Sequence, residues 1–181
     1  MTSENNIPAL AGLEYTPYID DNGELPEQLQ GKIGVYAIFD QAKILQFVGY
    51  SRDVYLSCKQ HLVRVPEKCY WLKVHTIDSP KRSVLEQIEK EWIAENQSLP
   101  VGNGENQEKW TNAIDTKQLM TLEEQNSYQD PLLDELAKIK LVKNVARRVE
   151  AEILAVLESR GVKTQLRFNP KLKETGLLDL K

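Results

Sequence analysis

The chain has 181 residues, of which 41% are hydrophobic and 28% charged; this composition suits one globular domain with an appendage or two small domains, and excludes wholesale disorder. Its apolar runs are far shorter than the roughly 18 residues that span a bilayer, and its first six residues are neither basic nor apolar, so we expect neither a membrane helix nor a signal peptide. Cys58 and Cys69 are too few for a disulfide scaffold, which favours a cytoplasmic protein.

The first 30 residues are polar and rich in turn formers, which predicts an extended lead-in. The composition and patterning of the next 70 residues predict strands at 33–39, 44–48 and 70–77, and helices at 52–63 and 79–96. Ser51 is the predicted N-cap of the first helix, and Ser79-Pro80 the predicted start of the second. The order β-β-α-β-α predicts an α+β fold in which helices flank a small, three-stranded antiparallel sheet.

The character of the chain changes after a loop at residues 100–104. Asp130-Pro131 predicts the start of a long helix, whose apolar residues recur every three or four positions, and Gly161 predicts its end. A helix of about 28 residues is on the order of 42 Å long, so it either packs across the sheet or binds a protein partner. The predicted organisation is therefore a lead-in at 1–30, a sheet domain at 31–110 and a helical region at 111–181.

The net charge of −4 is distributed unevenly. Residues 1–110 hold 11 Lys and Arg against 16 Asp and Glu, whereas residues 138–173 hold ten basic residues against three acidic ones. These ten residues, the basic stripe, either follow the phosphates of a nucleic acid or form a solvated helix face. Both interpretations are open at this point.

Helical geometry singles out one acidic residue on the second predicted helix. At about 100° per residue, Glu89 falls within the apolar stripe, between Leu85 and Ile93. An unpaired carboxylate in that place costs on the order of several kcal/mol, so we expect it to meet a metal, a cation or a hydrogen-bond donor. Geometry alone fits a functional site and a structural ion pair equally well.

The predicted hairpin carries Gly34-Val35-Tyr36 on one strand and Phe47-Val48-Gly49 on the next. This pairing resembles the signature of the GIY-YIG nuclease superfamily, over about residues 31–106. It is more closely similar to a divergent branch that occurs in cyanobacteria and at the N-terminus of a plastid monothiol glutaredoxin. The resemblance implies metal-dependent hydrolysis of phosphodiester bonds, or binding to nucleic acid.

The resemblance also implies roles for particular side chains. Tyr36 and His61 match residues that assist proton transfer from the attacking water. Glu89 matches the carboxylate that holds one divalent cation, Mg²⁺ or Mn²⁺. Gly49 and Tyr50 would lie at the substrate, where Asn103 matches the asparagine that closes the site, although Asn106 would also serve.

Two positions depart from the family pattern. Phe47 stands where the family has a tyrosine, and Ser57 stands where it has the arginine that clamps the phosphate. Arg52 is a better replacement for that arginine than Arg64, because it lies nearer to the strand end. The divergent branch also tends to lack the arginine.

These departures leave a second hypothesis open. In it, the chain is a catalytically silent interaction module, which binds a protein partner through the long helix. Cys69 is predicted to lie in a loop beside Pro66, where it is either a reactive thiol that regulates the module or an inert cysteine.

Overall fold

The computed structural model of the protein describes residues 6–181. Residues 1–5 lie outside this range. The start of the predicted lead-in, and most of the N-terminal segment from which we expect no signal peptide, therefore lie outside the described residues. The α+β class is confirmed. The strands are β1 (Thr16–Pro17), β2 (Ile33–Phe39), β3 (Leu45–Ser51), β4 (Trp71–Ile77), β5 (Ile114–Asp115) and β6 (Leu177–Leu178). The α-helices are α1 (Val54–Arg64), α2 (Arg82–Glu95), α3 (Gln107–Thr111), α4 (Leu122–Tyr128), α5 (Glu135–Ser159) and α6 (Pro170–Lys173).

The main sheet has four antiparallel strands in the order β1-β4-β2-β3, rather than the predicted three. The additional strand, β1, pairs Thr16 with Leu72 and Pro17 with Trp71 at the edge of β4. A strand of two residues that includes a proline is too short for an alternating pattern, and an edge is where proline is tolerated. The lead-in is thus a packed part of the fold, in which Tyr18 and Leu25 are fully buried.

The central hairpin forms as predicted. It joins β2 to β3 in a register that places Tyr36 opposite Gly49, and β3 is the outer strand of the sheet. Alternation along β2 sends Tyr36 and Ile38 to one face of the sheet and Val35 and Ala37 to the other.

The predicted helix starts differ from the observed ones. Asp53, rather than Ser51, caps α1 by accepting a hydrogen bond from the Leu56 amide at 3.2 Å. Helix α2 begins at Arg82 without a side-chain cap, so Ser79-Pro80 precedes it. Asp134 caps α5, which has 25 residues, whereas Asp130 belongs to the preceding turn. The sequence patterns thus predicted α1, α2 and α5 but placed the start of each helix too early.

Two hydrophobic cores lie on opposite faces of the sheet. One face packs against α2 through side chains that include Leu85, Ile88 and Trp92. The other packs against α1 and against the later part of the chain, where α5 contributes Ala146, Val149 and Leu157. The long helix therefore packs on the sheet domain through its C-terminal half. Within residues 6–181, none of the helices combines the length and the apolar character needed to cross a membrane.

Candidate functional site

Tyr36 and His61, which the resemblance assigns to proton transfer, form a buried, hydrogen-bonded pair. The Tyr36 hydroxyl lies 2.8 Å from His61 Nε2, and the two residues are 3% and 4% exposed. Burial, together with the positive charge of Arg64, lowers the pKa of His61 to about 3, and burial raises the pKa of Tyr36 well above its ordinary value. At neutral pH the imidazole is therefore uncharged and the phenol keeps its proton, so neither group is a strong base in this state.

Trp110 of α3 closes this pair off from solvent. Its ring stacks on Phe47 with centroids 5.3 Å apart and planes 2° from parallel, and it lies 5.6 Å from the His61 ring. Phe47 in turn lies 4.7 Å from His61. Phe47, which replaces the family tyrosine, thus helps to hold the Trp110 ring against His61. We did not identify Trp110 from the sequence; its only signal is a lone tryptophan in a polar segment.

Val48, Gly49 and Tyr50 of β3 either belong to the remaining predicted site residues or contact them. Val48 forms two backbone hydrogen bonds with the Asn103 side chain, at 2.8 and 2.7 Å. At Gly49, an added Cβ would lie 2.9 Å from the Tyr36 hydroxyl. The Tyr50 hydroxyl donates to Glu86 Oε1 over 3.1 Å. The outer edge of β3, centred on Gly49, is the candidate functional site.

The Asn103 contacts identify which of the two candidate asparagines reaches this edge. Asn103 satisfies the free amide and carbonyl of the outer strand, a structural task that occupies both ends of its side-chain amide. Asn106 lines a different cavity of about 1120 Å³ between α3 and α5, whose walls include Arg64 and Val149. None of the predicted catalytic residues lines that cavity.

Glu89 lies half-buried on α2, one turn after the Glu86 that bonds Tyr50. It takes part in none of the hydrogen bonds or ion pairs found in the described part of the chain. Burial, and to a smaller extent the charge of Glu86, raises the pKa of Glu89. Its own charge makes only a small contribution to the raised pKa of Tyr36, which burial dominates. The expected partner of this carboxylate is therefore absent from residues 6–181.

The cationic candidates lie in different surroundings. Arg52, one residue beyond β3, is exposed and has no ion pair with any described residue. Arg64 is instead a structural residue, because its guanidinium donates to the Trp110 carbonyl at 3.1 Å and to Asp179 at 2.9 Å. Ser57, in the position of the family arginine, bonds the Ser51 hydroxyl at 2.7 Å. Of the two arginine candidates, Arg52 is thus the one whose side chain is not engaged in the described fold.

Much of the basic stripe is engaged within the chain. Ion pairs join Lys138 to Glu135, Lys143 to Glu174, Arg148 to Glu124 and Glu152, and Lys173 to Glu150. Arg160 lies 4.0 Å over the ring of Tyr70 and donates to the carbonyls of Pro66 and Cys69. These contacts favour the interpretation of the stripe as part of the fold over that of a continuous phosphate track.

Cys69 lies in the predicted loop between α1 and β4, and its surroundings favour the inert cysteine over the reactive thiol. Cys58 and Cys69 are both fully buried, and Cys69 Sγ lies 3.6 Å from the His61 carbonyl. Burial raises the pKa of Cys58 to about 12, and it raises that of Cys69 further. Buried, protonated thiols react slowly, so the fold itself makes Cys69 inert.

The metal prediction rests on Glu89 alone. Between residues 6 and 181, no three His, Cys, Asp or Glu side chains are grouped so as to hold a metal ion. A half-buried, unpartnered carboxylate does fit a hard cation such as Mg²⁺, which often keeps several waters and takes one protein oxygen.

The sequence matches no protein-family profile. It is 43% identical over 74 residues to a protein of Arabidopsis thaliana described as bifunctional monothiol glutaredoxin-S16, chloroplastic. The matched segment covers 39% of this chain and 25% of that protein, so the chain is similar to a quarter of its relative. This partial similarity supports the link to the N-terminal region of a plastid monothiol glutaredoxin. The GIY-YIG assignment itself stays a prediction.

Proposed function

We propose that the protein is a divergent, GIY-YIG-type nuclease-like protein, which binds nucleic acid and hydrolyses phosphodiester bonds slowly with Mg²⁺ or Mn²⁺. The observation that carries the proposal is the half-buried carboxylate of Glu89, which has no hydrogen-bond or ion-pair partner among the described residues. A carboxylate kept out of water without a partner is unfavourable unless a ligand compensates for it. A divalent cation held by Glu89 would provide that compensation.

In this proposal, each side chain acts according to its surroundings. Glu89 would supply the oxygen that holds the cation, which when bound would provide Lewis-acid chemistry at a phosphate. Arg52, which is exposed at the end of β3, contacts a neighbouring phosphate as a charged hydrogen-bond donor. Tyr36 and His61 assist proton transfer only after Trp110 moves aside, because both are buried and neither is a strong base at rest. Slow hydrolysis follows from this cover and from the serine at the arginine position.

The test is the nicking of supercoiled plasmid by the purified protein with Mg²⁺ or Mn²⁺, and with EDTA as a blank. We expect Glu89→Gln to reduce nicking at least tenfold. Glu91→Gln, an exposed substitution on the same helix, should leave nicking unchanged. Equal activity in the wild type and in Glu89→Gln would attribute the nicking to a contaminant and refute the proposal.

A second candidate function is a catalytically silent interaction module. It is favoured by the burial of Tyr36 and His61 under Trp110 and by the structural use of Asn103. The partial similarity to a monothiol glutaredoxin fits a thiol-related role loosely, although Cys58 and Cys69 are both buried and so poorly placed to carry one out. Absence of both nicking and DNA binding, the latter measured by fluorescence anisotropy at low salt, would favour this candidate.

A further inference from the structure

The start of α5 and the turn before it form an exposed apolar tip. Leu132 is 92% exposed, Leu136 79% and Ile139 42%, although all three are large and hydrophobic. The neighbouring α4 buries none of its residues, and burial along α5 begins only at Val142. Residues 130–143, hereafter the tip segment, thus present an apolar face at 132–139 that the rest of the described chain leaves uncovered.

The charges of the tip segment are ordered along it. Its acidic residues come first and its basic residues last: Asp130, Asp134 and Glu135, then Lys138, Lys140 and Lys143. Three charges of each sign cancel, so the tip segment has no net attraction for a polyanion. The order matters instead for an elongated partner whose own charges are also ordered along its length. Such a partner meets opposite charges when it binds in one direction and like charges when it binds in the other.

We propose that the tip segment is the contact surface of a symmetric dimer, in which two copies of the chain pack antiparallel about Leu136. A two-fold axis at Leu136 sets each leucine against its equivalent and brings the acidic end of one copy to the basic end of the other. A parallel arrangement would set acid against acid and lysine against lysine. The segment is therefore complementary to itself, and a second copy satisfies both its apolar face and its charge order.

Some charges of the tip segment are engaged within the chain, because Asp134 caps α5 and Lys143 pairs with Glu174 at 3.3 Å. Glu135 and Lys140 are the charges that remain largely available to a partner. The ion pair between Lys138 and Glu135 spans 3.9 Å, at the limit of such contacts, and the Glu135 side chain is 89% exposed. Lys140 is exposed and has no ion pair among the described residues. Because the apolar contact is short, the dimer belongs to the small, reversible class of interfaces and forms at high protein concentration.

Cross-linking tests the position of the axis. Leu136→Cys places a thiol beside its symmetry equivalent, and the native cysteines do not interfere because both are buried. We expect mild oxidation to convert most of this variant to a disulfide-linked dimer. Ile44→Cys, at another exposed hydrophobic position (61% exposed) on the hairpin turn, is the matched control and should stay largely monomeric. Equal cross-linking of the two variants would overturn the proposal.

Charge reversal tests the direction of packing, with sedimentation equilibrium as the measurement and circular dichroism as the check on folding. Glu135→Lys and Lys140→Glu should each weaken the dimer roughly tenfold, because each sets like charges across the axis. The double variant restores opposite signs and should return most of the affinity. A wild-type protein that stays monomeric at all concentrations, or a dimer that neither single variant weakens, would overturn the proposal.

Discussion

Gly49 is the position where the geometry of the candidate site makes the sharpest prediction. A methyl group at this position would lie 2.6 Å from Phe47 Cε1 and 2.9 Å from the Tyr36 hydroxyl, closer than van der Waals contact allows. Neither ring has room to retreat, because Phe47 stacks on Trp110 and Tyr36 is hydrogen-bonded to His61. Gly49→Ala must therefore displace one ring from its packed position.

Two costs add up in this variant. Overpacking of a dense core costs about 1–3 kcal/mol, and breaking the buried bond between Tyr36 and His61 leaves polar atoms unpaired at a further cost of about 1 kcal/mol or more. We expect Gly49→Ala to lower the free energy of unfolding by about 2–4 kcal/mol, as measured by denaturation in urea. Gly12→Ala is the matched control, because an added methyl group meets nothing within 4 Å there. A loss below about 0.5 kcal/mol at Gly49 would show that the site is looser than described.

Three further predictions concern buried groups. The pKa of His61 is about 3 in the folded chain and 6.5 in the unfolded chain, so the unfolded chain takes up a proton first as the pH falls. The free energy of unfolding should therefore decrease as the pH falls from 6.5 toward 3. His61→Gln should remove this decrease from a pH series of denaturation midpoints. Arg64→Lys should cost about 2 kcal/mol in thermal unfolding, because an ammonium does not hold both a backbone carbonyl and Asp179, and an unchanged midpoint would contradict this. Ellman's reagent should modify Cys58 and Cys69 slowly in the native protein and rapidly in urea, and fast native modification would refute their burial.

The sequence predicted those parts of the fold that depend on local patterning. The hairpin, the third long strand and the principal helices appear in the predicted order, because strand and helix periodicity depend on neighbours within the chain. Strand β1 escaped prediction because its two residues gain their strand character only by pairing with Trp71 and Leu72. Likewise, Asp53 takes the cap of α1 while the Ser51 hydroxyl bonds Ser57 and the Asp53 backbone.

The candidate site was predicted unevenly for a similar reason. Tyr36 and Gly49 are brought together by the register of the hairpin, whereas His61 was predicted to join them only through the family resemblance. The cover by Trp110 is a contact between residues far apart in sequence, and the order of residues does not reveal it. The burial of Cys69 depends in the same way on distant packing.

The contribution of the C-terminal helical region to the main core bears on how this chain can be divided. Val149, Leu157, Phe168 and Leu178 lie in the same hydrophobic cluster as Tyr36. A fragment cut at residue 110 would keep α1 on this face of its sheet but would lose these four side chains, and the core residues that they contact would be exposed to water. We therefore expect the fragment to aggregate more readily than the whole chain, so a piece that is to fold must include the region after residue 110 or a replacement for it.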